Sequence, residues 1–85
     1  MKRRLKLEHD QEADALAIIV RPGEFSYTTE LDDNRLLDYD SAGNLLEIEV
    51  LYPSLGVNLD GMPRAAEVAE LLSRHGIKAL TTTTH

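Results

Sequence analysis

Apolar and polar residues alternate along much of the first half of the chain, from Leu5 to Tyr52. Successive side chains of a β-strand point to opposite faces, so a two-residue period predicts strands with one buried face. Polar or glycine-containing stretches such as 10–14 and 41–44 interrupt the pattern, and these are typical of turns. We therefore predict an antiparallel β-meander over residues 4–52, with strands at 5–8, 15–21, 25–31, 35–40 and 46–52.

The predicted second strand differs from the others because both of its faces are apolar. One face carries Leu16, Ile18 and Val20, and the other carries Ala15, Ala17 and Ile19. A strand of this kind is normally covered on both sides. We expect a helix on one side, and a helix or a second subunit on the other.

After Pro53 the apolar residues recur at the three- to four-residue spacing of an amphipathic helix. Asp60 is a favourable N-cap, Pro63 suits the first turn, and Gly76 is a natural C-terminal stop. We predict a helix over 60–76, a short final strand over 77–80 and a tail over 81–85. The fold class is therefore α+β: one domain in which an antiparallel five- to six-stranded β-meander has one C-terminal helix packed on a face.

Composition indicates an ordinary soluble domain, because 42% of the 85 residues are hydrophobic and 28% are charged. The absence of Cys excludes disulfides, thiolate catalysis and Cys-ligated metals. The longest apolar run, Ala15–Val20, is far shorter than the roughly 20 residues of a membrane span. Met1–Arg4 resembles the basic start of a signal peptide, but acidic residues follow where an apolar stretch should be. We expect a cytoplasmic protein without a membrane partner.

Charge argues against a nucleic-acid partner. The chain has 15 acidic and 9 basic residues and a net charge of −6, whereas binding to phosphates requires a basic surface. Lys2–Arg4 and Lys6 form a local basic cluster, which we interpret as a solvated strand edge.

Several acidic and turn segments occur together in the first half of the chain: Asp10, 12–16, 37–40, Gly43 and 46–50. In this order they resemble domain-of-unknown-function family 2283, a group of small bacterial and archaeal proteins. The resemblance covers about residues 4–52, and residues 56–80 resemble an extension carried by some members. Members commonly have a tyrosine early in the second strand, where this chain has Ala17-Ile18-Ile19. The resemblance implies fold and relatedness, and it transfers no activity, cofactor or catalytic residue.

The segment from Asp38 to Glu49 matches part of a twelve-residue calcium loop. Asp38, Asp40, Gly43 and Glu49 fall on positions 1, 3, 6 and 12 of an EF-hand loop. Position 5 is Ala42, which has no side-chain oxygen, and the flanking residues alternate as strands rather than as helices. A β-hairpin with a Gly-Asn turn explains the same residues more simply.

Four carboxylates flank this hairpin: Asp38, Asp40, Glu47 and Glu49. On one face of neighbouring strands they would raise each other's pKa, bind a divalent cation or provide the acid and base of a hydrolase. The alternative is an acidic, solvated face that prevents sheets from stacking. We favour the solvated face, predict no catalytic residue and no cofactor, and keep these four as candidate metal ligands. His9, His75 and His85 are dispersed and lack the spacing of a metal site.

One helix is too narrow to cover a five-stranded sheet in a chain this short, so we predict a homodimer. The interface candidates are apolar residues of the second strand and three tyrosines: Leu16, Ile18, Ile19, Tyr27, Tyr39 and Tyr52. The function expected from this is a non-enzymatic interaction or accessory module. One version is an acidic partner for a basic protein, in the manner of some antitoxins. The alternative is a metal- or small-ligand-binding protein, or a minor hydrolase, that uses the acidic hairpin.

Overall fold

The computed structural model describes residues 4–80, so the predicted tail and residues 1–3 lie outside the described part. Five antiparallel strands form the main sheet: β1 (Lys6–Asp10), β2 (Ala15–Ile19), β3 (Tyr27–Asp32), β4 (Arg35–Tyr39) and β5 (Leu45–Leu51). A 3-10 turn (Pro53–Leu55), β6 (Val57–Asn58), helix α1 (Ala65–Arg74) and β7 (Ala79–Leu80) follow. β6 and β7 pair in parallel as a separate two-stranded sheet. The predicted α+β fold, with a five-stranded antiparallel sheet and a C-terminal helix, is confirmed.

The strands of the main sheet lie in the order β1-β2-β5-β4-β3. A β1–β2 hairpin and a β3–β4–β5 meander are joined by antiparallel pairing of β2 with β5. The chain therefore departs from a strictly consecutive meander, since residues 20–26 carry it from β2 to the far edge of the sheet. β5 takes the central position, and β1 and β3 are the two edge strands.

The hydrophobic core lies between one face of the sheet and the C-terminal extension (residues 53–80). Ile18 and Ile48 from the sheet and Val68 and Leu72 from α1 are completely buried there. Burying side chains of this size stabilises the fold by about 1.5–3 kcal/mol each. The extension therefore covers one face of the sheet and completes the core.

A β-bulge in β5 changes which side chains face the core. Asp38 pairs with Glu47 and Tyr39 pairs with Leu45, so Leu46 is an extra residue between the two pairs. Leu45 consequently packs against the core, whereas Leu46 is buried outside the core cluster. Leu46 is buried, as the predicted alternation requires, but the bulge places it outside the core cluster that contains Ile48 and Val50.

Helix α1 is shorter than predicted at its start. It begins at Ala65 rather than at Asp60 or Pro63, because Arg64 has a left-handed backbone (φ 55°) that cannot continue a helix. Gly76, at φ 68°, follows the helix as predicted. No helix of residues 4–80 is long and apolar enough to cross a membrane.

Arg35 joins the sheet to the C-terminal extension. Its guanidinium, 6% exposed, donates two hydrogen bonds to the Asp32 carboxylate, at 3.0 and 2.8 Å. It also donates to the backbone carbonyls of Asn58 and Asp60, at 2.9 and 2.5 Å. The Asp32 pKa is lowered, chiefly by this hydrogen bond from Arg35. Because every partner is charged or a backbone carbonyl, the guanidinium is well satisfied in its buried position.

Asp14 makes a second connection to the extension. Its carboxylate accepts hydrogen bonds from the backbone N–H of Ser54 at 3.1 Å and from the Ser54 hydroxyl at 2.5 Å. Its backbone carbonyl accepts from the N–H of Tyr52. The β1–β2 turn is thereby attached to the 3-10 turn that starts the extension.

Candidate functional site

The face of the main sheet opposite α1 is called here the open face. Strand register assigns its members: Lys6, Glu8, Asp10, Ala15, Ala17, Ile19, Thr28, Glu30, Leu36, Asp38, Glu47, Glu49 and Leu51. Its five apolar residues remain partly accessible and are not members of the core cluster. Half-buried apolar side chains and carboxylates are therefore mixed on one surface.

Three carboxylates on the open face converge across β4 and β5. Asp38, Glu47 and Glu49 can each place one oxygen within 4.8 Å of the others. Asp38 is directly opposite Glu47 in the strand register, and Glu49 is the next residue along β5 on the same face. These three residues are called here the carboxylate trio. The sequence analysis considered such a cluster as the alternative to an acidic, solvated face.

Asp38 is the most buried member of the trio, at 7% exposure. The hydroxyl of Thr28, directly opposite on β3, donates a 2.6 Å hydrogen bond to its Oδ1. This bond connects β4 to the edge strand β3. Thr28 was missed from the sequence because its role depends on β3 pairing with β4.

Glu49 holds its proton much more tightly than an ordinary glutamate. Its pKa is raised to about 7, first by a hydrogen bond with Asp38, then by burial and by the negative charges of Asp38 and Glu47. The pKa of Glu47 is also raised, chiefly by burial and then by the charges of Asp38 and Glu8. Glu49 is therefore partly protonated near neutral pH, and its protonated carboxyl can donate a hydrogen bond to Asp38.

Asp40, the fourth candidate ligand, is not a member of the carboxylate trio and forms hydrogen bonds with the β4–β5 turn instead. Its carboxylate accepts from the backbone N–H groups of Ala42 (3.0 Å) and Asn44 (2.8 Å) and from the Asn44 side-chain amide (3.0 Å). Its pKa is lowered, first by the backbone bond from Asn44. Asp40 thus holds the β4–β5 turn, where Gly43 has a φ of 85°. The flanking strands and this turn make the segment a hairpin.

The carboxylate trio has two chemical capacities. Carboxylate oxygens are the ligands that hard divalent cations prefer, and the spacing of the trio suits one such ion. A protonated Glu49 beside Asp38 also provides adjacent hydrogen-bond donor and acceptor groups. The carboxylate trio is therefore suited to bind cations and ligands that form hydrogen bonds.

A shallow groove of about 290 Å³ crosses the open face over β2. Ala15 and Ala17 form its floor, and Glu8, Asp10 and Glu49 line it from the neighbouring strands. The groove exists because the small alanine side chains lie between longer acidic ones. It begins beside the carboxylate trio, since Glu49 belongs to both.

The candidate interface residues lie in different parts of the structure. Leu16 and Ile18 are in the core, at 4% and 0% exposure, so they are not accessible to a second copy in this conformation. Ile19 is half-buried on the open face. Tyr27, on edge strand β3, stacks on Tyr39 with ring centroids 5.1 Å apart. Ile19 and Tyr27 are thus accessible to a partner, whereas Leu16 and Ile18 are not.

Tyr52, the remaining interface candidate, lies just after β5. It has a left-handed backbone (φ 56°) and a side chain that is 53% exposed. It is therefore accessible, and it lies outside the strands of the main sheet.

Other polar residues, Ser54 and the histidines, lie outside the carboxylate trio. The hydroxyl of Ser54 binds Asp14, and Nδ1 of His75 lies 3.0 Å from the carbonyl oxygen of Leu71 at the end of α1. His9 lines the groove but does not join the carboxylate trio. His85 lies outside the described residues.

Comparison with known proteins identifies a family. Residues 6–54 match the family described as "Protein of unknown function (DUF2283)", which agrees with the resemblance noted in the sequence. No curated protein and no solved structure matches the chain significantly. The matched region contains the whole main sheet and the carboxylate trio, whereas α1 lies beyond it. Because the match spans more than half of the 85 residues, this protein belongs to the DUF2283 family.

Proposed function

We propose that this chain is a non-enzymatic binding module that acts through the open face of its sheet. The observation that carries the proposal is the partial accessibility of five apolar open-face residues: Ala15, Ala17, Ile19, Leu36 and Leu51. An apolar surface surrounded by polar groups is typical of an interaction site. A partner that covers this face would bury it as α1 and its neighbours bury the other face.

The polar groups of the open face support binding rather than catalysis. Asp38 accepts a hydrogen bond from Thr28, and one of its oxygens lies within 4.8 Å of a Glu49 oxygen, so its carboxylate is engaged with neighbouring strands of the sheet. The hydroxyls of Thr28 and Ser54 likewise donate to carboxylates of the fold, Thr28 to Asp38 on the neighbouring strand and Ser54 to Asp14 in the β1–β2 turn, so both connect structural elements.

A capture experiment with matched variants tests the proposal. Ala17→Arg places a long side chain on the open face, and Ser73→Arg places the same side chain on the exposed surface of α1. Each tagged protein is incubated with lysate of its source cells, and the captured proteins are identified by mass spectrometry. We expect a partner that the wild type and Ser73→Arg both retain and Ala17→Arg loses. Equal capture by both variants would refute binding through the open face.

We further propose that the module is a homodimer, joined through the edge strand β3. Stacking two open faces would oppose two acidic surfaces, which is unfavourable. Of the two edges, β1 carries charges at Lys6, Glu8 and Asp10, which discourage strand pairing. β3 begins with the uncharged sequence Tyr27-Thr28-Thr29 and is exposed. Antiparallel β3–β3 pairing would leave both open faces on the same side of one continuous sheet.

Sedimentation equilibrium tests the dimer. The wild type should sediment as a dimer at micromolar concentration, and Thr29→Lys, which adds a charge to the β3 edge, should shift it to monomer. His9→Lys adds the same charge to the β1 edge and should leave the dimer intact. A monomeric wild type would contradict this arrangement. A dimer that His9→Lys disrupts and Thr29→Lys leaves intact would contradict it as well.

The convergence of the carboxylate trio favours a second candidate function, the binding of a divalent cation. The oxygens of Asp38, Glu47 and Glu49 can all lie within 4.8 Å of one another. Binding to the folded state raises the melting temperature in a concentration-dependent way.

The test is thermal melting with calcium, magnesium or manganese against a chelator, for the wild type, Glu47→Gln and the control Glu70→Gln on α1. Stabilisation that Glu47→Gln abolishes and Glu70→Gln retains would establish this function, and no shift would remove it.

A further inference from the structure

We infer that the occupant of the open face is a cationic protein segment, whose lysine or arginine side chains lie along the groove over Ala15 and Ala17. This inference rests on the proposed function, because it names the chemistry of the partner for the same face. It is carried by the shape of the groove and by the distribution of charge on the open face.

The groove is wide enough to hold an aliphatic side chain. Ala17 is paired with Glu8 on β1 and with Glu49 on β5, and Ala15 is paired with Asp10 and Leu51. Neighbouring strands are about 4.8 Å apart, so the walls on either side of the alanines stand roughly 10 Å apart. The methylene stem of a lysine or arginine fits on the alanine floor, and its charged end can reach the carboxylates at the walls.

The charge of the open face selects a cation. Within the described strands it carries six carboxylates, Glu8, Asp10, Glu30, Asp38, Glu47 and Glu49, against one ammonium group, Lys6. Arg21 adds a guanidinium in the adjoining loop, beside Ile19 and Asp38. Two basic groups therefore face six acidic ones, and complementary charge guides association and excludes like-charged partners.

Other occupants fit less well. A second copy of this chain would oppose its own six carboxylates to these six. A purely apolar segment would cover Glu8 and Glu49 without supplying a hydrogen-bond donor or counter-charge, which is costly for buried carboxylates. A basic segment with long aliphatic stems covers the alanine floor and pairs with the carboxylates at the same time.

The probe is a fluorescent peptide of alternating lysine and serine, compared with the same peptide in which every lysine is acetylated. Acetylation removes the positive charge and keeps the length of the side chain. Fluorescence anisotropy at low ionic strength should show that the lysine peptide binds at least about tenfold more tightly than the acetylated one. Equal binding of the two peptides, or no binding of either, would overturn the inference.

Uncharged variants separate the groove from the general attraction of an acidic protein. Ala17→Leu fills the groove without changing the charge and should weaken lysine-peptide binding about tenfold. Ala42→Leu makes the same change in the exposed β4–β5 turn and should bind like the wild type. Circular dichroism confirms that both variants are folded. Equal affinity for the two variants would show that the peptide does not occupy the groove.

A pair of charge variants completes the design. Glu8→Gln removes a carboxylate from the groove wall, and Glu70→Gln removes one from α1, so both have the same net charge. We expect only Glu8→Gln to weaken binding. If the capture experiment identifies a partner sensitive to Ala17→Arg but the peptides fail these tests, the cationic occupant is refuted and the binding module stands. If both experiments fail, both proposals fall.

Discussion

A carboxyl oxygen of Glu49 and one of Asp38 lie within 4.8 Å of each other across β4 and β5, on the face of the sheet that α1 does not cover. This pair links the acidic chemistry of the open face to the stability of the fold. Asp38 is held by Thr28 from the opposite strand, and Glu49 borders the alanine groove. Changes to the pair therefore have consequences for pH dependence, stability and binding, which separate measurements can detect.

Glu49→Gln should stabilise the protein above neutral pH. In the folded protein the Glu49 pKa is about 7, above the 4.5 of an unperturbed glutamate, so the folded state binds the proton more tightly. Its ionisation therefore lowers the free energy of unfolding as pH rises from about 4.5 to about 7. Glutamine cannot ionise and retains a hydrogen-bond donor for Asp38.

The measurement is urea unfolding of wild type and Glu49→Gln across this pH range. The variant should be more stable by about 1–2 kcal/mol above pH 7, after allowance for solvent screening, and the difference should vanish below about pH 4.5. Glu70→Gln corrects for the loss of one carboxylate elsewhere on the chain. A stability difference between the two proteins that does not change with pH would contradict the raised pKa of Glu49.

Thr28→Val should destabilise the sheet by removing the donor to Asp38. The lost hydrogen bond is 2.6 Å long and ends on a part-buried carboxylate, so we expect a cost of about 1–2 kcal/mol. Chemical unfolding at neutral pH measures the change. Thr29→Val, the same substitution at the next residue of β3, is the control. Equal effects of the two substitutions would show that the bond to Asp38 contributes no specific stability.

Arg35→Met should detach the C-terminal extension from the sheet. The substitution leaves the Asp32 carboxylate and the carbonyls of Asn58 and Asp60 without their donor, at a cost of about 3–5 kcal/mol. Amide hydrogen exchange should lose protection first in residues 57–80.

The control for this substitution is Arg74→Met, which removes an exposed pair with Glu70 at 3.7 Å. It should cost less than about 1 kcal/mol. Arg35→Lys keeps the charge but not the forked donors, so its stability should lie between wild type and Arg35→Met. Uniform loss of protection over the whole chain in Arg35→Met would contradict a specific role in holding the extension.

The local features of the fold could be predicted from the sequence, because they depend on neighbouring residues. Alternation identified the five strands, and Gly76 marked the end of α1. The insertion of β5 between β2 and β4 could not be predicted, since strand order depends on contacts between distant residues. The left-handed Arg64 and the bulge at Leu46 also depend on packing rather than on local pattern.

The candidate site was predicted only where it depends on residues that are close in sequence. Asp38, Glu47 and Glu49 were proposed together because β4 and β5 are connected by a short hairpin, and they do converge. Asp40 was grouped with them by its two-residue spacing, but its position after β4 lets it bind the turn amides instead. Thr28 and the groove residues Glu8 and Ala17 come from other strands, so only the strand order brings them to the site.

Methyl NMR of the alanines tests binding through the open face most directly. In protein with ¹³C-labelled alanine methyl groups, Ala15 and Ala17 report from the groove, and Ala66 and Ala69 report from α1. The partner captured from lysate is titrated into this sample. Binding through the open face should shift or broaden the Ala15 and Ala17 methyl signals while those of Ala66 and Ala69 stay in place. Shifts confined to the α1 alanines would contradict it.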